Sequence, residues 1–316
     1  MSRIPLPDAG PSYEGRPLPR PDEEVVDQGL RFDVETLLSR RRLLAVLGIG
    51  TATVGLAACG GGSTSAASSS TTSSSSTAAS AAAGEIPDET AGPYPGDGSN
   101  GPNVLDQSGI VRSDIRSSFG EMSGTAEGVP MTLELTVADL TNGGVPFAGV
   151  AVYVWHCTRE GGYSLYSDGI TDQNFLRGVQ VADSAGTVSF TSIFPACYDG
   201  RWPHIHFEVY PDQASITDST AAIATSQVAL PKDVCDTVYA QEGYEASVSN
   251  LSRLSLTSDN VFGDDGGASQ LATVTGDVTK GYTVSLPVRI DTTTTPTGGG
   301  MGGNPGGGGP PSRPTS

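Results

Sequence analysis

The residues best suited to carry chemistry are two histidines in the stretch RWPHIHFEVY, at positions 201–210. His204 and His206 are two residues apart, and in a β-strand such residues point to the same face. Two imidazoles on one face can bind a single metal ion. A polar row on the wet face of a half-exposed strand has the same spacing, so the pair alone leaves both interpretations open.

The histidine stretch is one of several short segments rich in β-branched residues, and the other segments must hold it in position. Period-two alternation after Pro130 predicts strands in MTLELTVADL, VAVYVWHC, TVSFTSIF, HIHFEVY, LATVTGDV and YTVSLPV. Turn residues such as Asn142 and Gly143 separate them. The pattern predicts an all-β fold, an antiparallel β-sandwich with little helix. The one helix candidate is PKDVCDTVYAQ, in which Pro231 suits the first turn.

Several motifs, in this order, resemble the intradiol ring-cleavage dioxygenases, the family of protocatechuate 3,4-dioxygenase and catechol 1,2-dioxygenase. They are ETAGPYPGDG, IVRSDIR, VAVYVWHCTREGGYSLY, FLRGVQVADSAGTVSFTSIFPACY, GRWPHIHFEV and TSQVALP. The resemblance implies a ferric ion held by two tyrosinates and two histidines, at Tyr163, Tyr198, His204 and His206. It also implies a catechol substrate and O2, with a muconate-type diacid as the product.

The chemistry of iron(III) explains these residue types. The ion is hard and strongly Lewis-acidic, so it prefers anionic oxygen donors such as phenolates, whereas oxygen-activating iron(II) typically uses two histidines and one carboxylate. The resemblance implies that Tyr198 is the ligand displaced by the catechol and that Tyr163 stays bound. Iron then acts as a Lewis acid and an electron relay.

The resemblance assigns two further residues to the same pocket. Arg201 matches an arginine that stabilises negative charge developing on the substrate ring, and Gln227 matches a glutamine that lines the pocket. Without the motif, Arg201 would be interpreted as a surface arginine paired with Asp199. The remaining histidine, His156, is predicted to be a core residue, and Tyr166 lies outside the part of the loop that matches.

The overall charge argues against a polyanionic partner. The chain has 35 acidic and 17 Lys and Arg residues, a formal net charge of −18 and a pI of about 4.3. It has no basic stripe that would release counterions from a nucleic acid, so DNA and RNA are disfavoured as partners. We interpret the acidity as promoting solubility outside the cell.

Composition divides the chain into four segments. Residues 1–59 form a leader and signal segment, and residues 60–84 form a Ser/Ala/Gly-rich flexible tether. Residues 85–290 form the dioxygenase-like domain, long enough for one core. Residues 291–316 form a Gly/Pro/Thr-rich tail that is predicted to be disordered.

The first segment resembles a bacterial export signal. Arginines 40–42 precede the apolar stretch LLAVLGIGTATVGLAA, as in a twin-arginine signal, and this stretch is shorter than the roughly 20 residues of a spanning helix. LAAC resembles a lipobox ending at Cys59. We therefore predict an exported protein, lipid-anchored at Cys59 on the outer side of the cytoplasmic membrane. An uncleaved short transmembrane segment, with Cys59 as an ordinary thiol, stays open.

The remaining cysteines are odd in number. Cys157, Cys197 and Cys235 allow at most one disulfide in an oxidising compartment. We expect Cys197 to pair with Cys235, leaving Cys157 free.

The sequence leaves alternatives to the enzyme. An exported β-sandwich with the same fold can serve as a ligand-binding module without turnover. A carbohydrate- or cell-wall-binding sandwich is a third interpretation, and it predicts no iron. The identity of the catechol and the oligomeric state stay open.

Overall fold

A computed structural model describes residues 84–298, together with two short strands nearer the N-terminus, β1 (Ser12–Tyr13) and β2 (Arg16–Pro17). The chain separates into two compact units, Met1–Ser80 and Ala81–Ser316. Apart from β1 and β2, the predicted signal segment, Cys59 and the tether up to residue 83 lie outside the described residues, as does the tail from residue 299. Export and lipid anchoring therefore stay predictions.

The second unit contains two β-sheets. In the first sheet the order is β10–β11–β3, and both β4 and β7 pair with β3. In the second sheet the order is β6–β5–β8–β9. The strands are β3 (Pro130–Asp139), β4 (Val145–Pro146), β5 (Ala151–Trp155), β6 (Arg177–Val181), β7 (Thr187–Ile193), β8 (His204–Tyr210), β9 (Ala224–Ala229), β10 (Thr273–Asp277) and β11 (Gly281–Ile290).

The main core lies between the two sheets. Leu135 of β3 and Val284 of β11 belong to the same apolar cluster as Val152 of β5 and Phe207 of β8, and all four are fully buried. Burial of apolar area contributes roughly 25 cal/mol per Å². Because side chains alternate along a strand, a one-residue slip would turn this set to the opposite face. The core therefore fixes which residues of β8 point inward.

The opposite face of the second sheet is also covered. Tyr153 and Trp155 of β5 and Tyr210 of β8 pack there against Val104 and Leu105. These two residues belong to the segment 84–129 that precedes β3, here called the N-terminal segment. All seven residues of β8 are consequently buried. β8 is therefore not a half-exposed strand with one face in solvent.

The predicted all-β sandwich is confirmed, with one difference in strand direction. β3 and β11 pair in parallel, whereas the other strand pairs of this unit are antiparallel within residues 84–298. The sequence did not indicate β6 or β9, because RGVQV and ATSQVA combine small and polar residues and show no clean alternation of buried and exposed positions.

Helices are short. The predicted candidate forms α1 (Lys232–Val238), and Pro231 lies at its N-cap position rather than in its first turn. A second helix, α2 (Glu245–Leu251), was not predicted. None of the helices in residues 84–298 combines the length and hydropathy needed to cross a bilayer.

The ordered chain continues past the predicted domain end at residue 290. Asp291 N donates to Glu85 Oε1 at 2.9 Å, and Thr297 N donates to Asp88 Oδ2 at 2.8 Å. Residues 291–298 thus pack along the start of the domain, although their composition predicted disorder.

Candidate metal centre

The two histidines lie on the covered outer face of the second sheet. His204 and His206 are 2% and 3% exposed, while Ile205 and Phe207 between and after them enter the core. The interpretation of the pair as polar residues on a wet strand face is therefore wrong. Buried imidazoles need a partner or a ligand.

Four aromatic rings converge at this point. Ring centroids are 4.7 Å apart for His204 and His206, 5.6 Å for Tyr198 and His204, 5.8 Å for Tyr163 and Tyr198, and 6.3 Å for Tyr163 and His206. Tyr163 comes from the loop between β5 and β6, and Tyr198 from the loop that precedes β8. The structure brings together the four residues that the sequence predicted as metal ligands.

The Nε2 atoms of both imidazoles point into the cluster. His204 Nδ1 lies 2.5 Å from Trp202 O, which makes Nδ1 the donor and leaves Nε2 unprotonated. His204 Nε2 lies 3.0 Å from His206 Nε2 and 3.2 Å from the Tyr198 hydroxyl. Burial lowers the pKa of His204 to about 3 and that of His206 well below its usual value. Both rings are neutral at pH 7, so protons do not compete with a metal.

Two buried atoms of the cluster lack a hydrogen-bond partner of good geometry, the Tyr163 hydroxyl and His206 Nδ1. Tyr163 is 2% exposed. Burial and the neighbouring Tyr198 raise the pKa of Tyr163, and burial raises that of Tyr198 to about 12. A buried unpaired polar group costs about 1–3 kcal/mol. A bound cation would provide the missing partner and lower both phenol pKa values.

The donor set fits a hard trivalent cation. No group of three or more His, Cys, Asp or Glu side chains within residues 84–298 is arranged to hold a metal. The cluster instead combines two phenols with two neutral imidazoles, and phenolate oxygens are the donors that iron(III) prefers. His206 is fixed by stacking, since its ring lies 4.8 Å from that of Trp155 at an interplanar angle of 6°.

Arg201 lies beside the cluster in a buried ion pair. Its Nε donates to Asp259 Oδ2 at 3.0 Å, its side chain is 13% exposed, and that of Asp259 is fully buried. Asp199, the partner expected for a surface arginine, instead pairs with Arg253 at 2.7 Å. The surface interpretation of Arg201 is therefore wrong.

Asp259 is the site residue that the sequence did not reveal. Besides Arg201, it accepts hydrogen bonds from the backbone N–H groups of Trp202, Val261 and Phe262. Burial by itself would raise the pKa of Asp259, but the charge of Arg201 and its hydrogen bond lower that pKa overall. It stands 58 positions from Arg201 in sequence and belongs to no recognised motif, so no local signal indicated it.

Gln227 connects Arg201 to the N-terminal segment. It lies on β9 opposite His206 of β8. Its Oε1 accepts from Arg201 Nη2 at 2.7 Å, and its Nε2 donates to Thr90 O at 2.9 Å. Arg201 is thus held from two sides, by Asp259 and by Gln227.

Two nearby candidates are satisfied without a metal. His156 has Ser192 Oγ at 2.7 Å from Nε2 and Cys157 O at 2.8 Å from Nδ1. The Tyr166 hydroxyl donates to Asn100 Oδ1 at 2.7 Å and accepts from Gly96 N. His156 is 2% exposed, as expected for a core residue.

The expected disulfide is absent among residues 84–298. Cys157, Cys197 and Cys235 are all free and buried. Cys157 Sγ donates to Ala196 O and Cys197 Sγ to Arg201 O, at 3.6 and 3.5 Å, so these thiols are directed at backbone carbonyls. The predicted Cys197–Cys235 bond is therefore wrong.

The three thiols should be inert in the native protein. Burial raises the pKa of Cys157 and of Cys197 to about 12, which leaves almost no thiolate at pH 8. A thiol reagent added to the segment from Gly84 onward at pH 8 should label none of them, and should label all three in denaturant. Labelling of only one thiol in denaturant would instead support the predicted Cys197–Cys235 disulfide.

A family model described as "Dioxygenase" matches residues 100–206, which include the four clustered residues and Arg201. Chlorocatechol 1,2-dioxygenase of Rhodococcus opacus is 41% identical over 56 residues, 18% of this chain and 22% of that protein. The match therefore spans about a fifth of that relative's length.

A solved structure shares the fold. The intradiol ring-cleavage dioxygenase from Tetranychus urticae superposes with a TM-score of 0.53 at 22% identity, covering 67% of this chain and 96% of that chain. At this level of identity the similarity shows the architecture alone. The two sheets of this chain therefore have the same architecture as that solved structure.

Proposed function

We propose, on the premise that this chain belongs to the intradiol ring-cleavage dioxygenase family, that it is a non-haem iron(III) enzyme. Its substrate is a catechol-type aromatic, and O2 is the second substrate. Both oxygen atoms enter the product as the ring opens between the two hydroxyl-bearing carbons, which gives a muconate-type diacid. The catechol has the same hydrogen count as the diacid, so no further reductant is required.

The unpartnered Tyr163 hydroxyl, buried among two neutral imidazoles and a second phenol, carries this proposal. Tyr163, Tyr198, His204 and His206 would hold the ion. Iron(III) bound there supplies a Lewis acid that draws electron density from a bound catecholate and makes its ring reactive toward O2.

Tyr198 is the residue best placed to move a proton. It is partly exposed, whereas Tyr163 is 2% exposed. Burial raises the pKa of the free Tyr198 phenol to about 12, so its Oη holds a proton firmly once it ceases to be a ligand. We assign Tyr198 the uptake of one proton from the substrate hydroxyls, and Tyr163 the role of permanent ligand.

Arg201 is assigned the stabilisation of negative charge on the substrate ring. A fixed cation in a site with little water stabilises developing charge strongly, because it does not have to reorient. Asp259 and Gln227 fix the guanidinium in the structure. The buried surroundings of the imidazoles also keep bulk water from the reacting atoms.

Export forms a second part of the proposal. The arginines at 40–42 and the LAAC sequence ending at Cys59 support twin-arginine export followed by lipid anchoring. That route carries folded proteins, so iron can be inserted before the domain leaves the cytoplasm. The catechol would then be an extracellular or envelope compound.

Oxygen uptake tests the proposal. Iron-loaded protein mixed with catechol should consume one O2 per catechol and give a product with the mass of the substrate plus two oxygen atoms. A Tyr244→Phe variant is the matched control, because the Tyr244 hydroxyl is bonded to Val129 N and Phe194 O in the main core, outside the cluster. Tight binding of several catechols without O2 uptake would favour the ligand-binding module instead.

A further inference from the structure

We propose that Arg177 is a positioning residue for Tyr163, holding the loop that carries this tyrosine against the segment 94–96. The inference rests on the proposed function, because it concerns the tyrosine assigned as the permanent iron ligand. Arg177 lies on β6, which pairs with β5 at the edge of the sheet that carries the histidines. It was not singled out in the sequence.

The guanidinium of Arg177 is buried and saturated with hydrogen bonds. The side chain is among the largest fully buried ones, and the residue is 1% exposed. Arginine has five N–H donors, and each has an acceptor here. They are Ser164 Oγ at 3.1 Å, Ser164 O at 2.9 Å, Tyr94 O at 2.9 Å, Pro95 O at 2.6 Å and Tyr153 Oη at 2.9 Å.

None of the five acceptors, all of which lie within residues 84–298, is a carboxylate. A buried cation without a counter-ion is costly unless its donors are all satisfied, and an apolar side chain of similar size usually fills a core as well. Here the three backbone carbonyls belong to only two short segments. The geometry therefore favours a role in fixing those segments over a role in filling space.

One of the two segments is the loop that carries Tyr163. Arg177 holds both the carbonyl and the hydroxyl of Ser164, the residue immediately after it. On its other side, Tyr163 N donates to Ser167 Oγ at 2.7 Å. The backbone at Tyr163 is thus fixed by hydrogen bonds, although its own hydroxyl has no partner.

The other segment covers Tyr163. The Tyr94 ring packs against that of Tyr163 with centroids 4.9 Å apart, and the carbonyls of Tyr94 and Pro95 accept from Arg177. Gly96 follows at a φ of +67°, and a Cβ at this position would lie 2.8 Å from Arg177 Nη1. The close approach of this segment to the guanidinium therefore requires glycine.

The other three clustered residues are held in different ways. His206 stacks on Trp155, His204 bonds to Trp202 O, and the Tyr198 hydroxyl contacts His204. None of these contacts involves Arg177. Loss of Arg177 should accordingly displace Tyr163 and leave the histidines of β8 in place.

The test compares Arg177→Met with Arg112→Met in the full chain. Arg112 is a suitable control, because it also donates to backbone carbonyls, those of Arg177, Asn174 and Ser117, but to none in the segments 163–167 and 94–96. In Arg177→Met we expect iron affinity to fall roughly 10- to 100-fold, as on loss of an outer-shell partner. The tyrosinate-to-iron absorption band should also shift, while Arg112→Met keeps both properties.

Hydrogen exchange of the metal-free protein provides a readout that does not depend on activity. In Arg177→Met, exchange should accelerate in segments 94–96 and 163–167 and stay unchanged in β8. Uniform acceleration that includes β8 would make Arg177 a purely structural residue and overturn the proposal. Wild-type iron affinity, absorption and exchange in a folded Arg177→Met protein would overturn it as well.

A milder variant covers the case in which Arg177→Met does not fold. Tyr153→Phe removes one acceptor of Arg177 and also the donor to Pro95 O at 2.6 Å. It should accelerate exchange in the same two segments to a smaller extent, and an unchanged exchange pattern would contradict the proposal. If wild-type protein takes up no iron, the proposed function fails, and the exchange of the metal-free variants decides the role of Arg177 separately.

Discussion

A Tyr163→Phe variant should lose iron binding, with affinity reduced more than about 100-fold, beyond what loss of an outer-shell partner costs. The change removes one phenolate donor from a cluster that has two. It should not harm the metal-free fold, because the deleted hydroxyl is buried without a hydrogen bond. The metal-free variant should be at least as stable as wild type, and up to about 1–3 kcal/mol more stable. Iron titration and urea unfolding measure the two effects.

The combination of the two effects separates a ligand from an ordinary core tyrosine. Tyr244→Phe, at another buried tyrosine, breaks hydrogen bonds to Val129 N and Phe194 O and should keep iron bound at some loss of stability. A Tyr163→Phe protein that retains wild-type iron affinity would show that Tyr163 is not a ligand. A large loss of stability in the metal-free variant would show that its hydroxyl has a partner in solution.

Replacing Arg201 with methionine should lower kcat/KM by about 10²–10³-fold, the effect of removing one preorganised donor from a site of charge development. Iron binding should persist, because Arg201 contributes none of the four clustered rings. Asp259 loses its cation but keeps the backbone donors of Trp202, Val261 and Phe262. Steady-state kinetics and iron content on the same preparation make the measurement.

Arg253→Met is the control for Arg201. Its side chain is 58% exposed and pairs with Asp199, which is 78% exposed, and such surface pairs contribute little. We expect wild-type kinetics from it. Equal kinetic defects in both variants, or loss of iron from Arg201→Met alone, would contradict the assigned role of Arg201 in charge stabilisation.

The four clustered residues were predictable because their spacing and neighbours lie in short, recognisable stretches. His204 and His206 share a strand face by simple alternation, and Tyr163 and Tyr198 lie in loops whose motifs resemble a known family. The burial of β8 on both faces was not predictable from HIHFEVY alone. It depends on the N-terminal segment, whose Val104 and Leu105 cover the sheet.

The residues that support the site were missed for a common physical reason. Asp259 and Arg177 act through contacts that join segments distant in sequence, and neither has a local pattern that reveals its partner. The disulfide prediction was wrong for a different reason. It rested on the number of cysteines and on the expected oxidising compartment. Their thiols instead lie in the core or against carbonyls, where burial keeps them protonated.

The most direct test of the iron site is a visible absorption spectrum of the purified protein, with iron determined on the same sample. We predict a broad tyrosinate-to-iron(III) band at one iron per chain, shifted by catechol and lost in Tyr163→Phe. A protein that stays colourless after anaerobic iron loading and reoxidation would contradict the assignment. The buried cluster of Tyr163, Tyr198, His204 and His206 would then need an occupant other than iron(III).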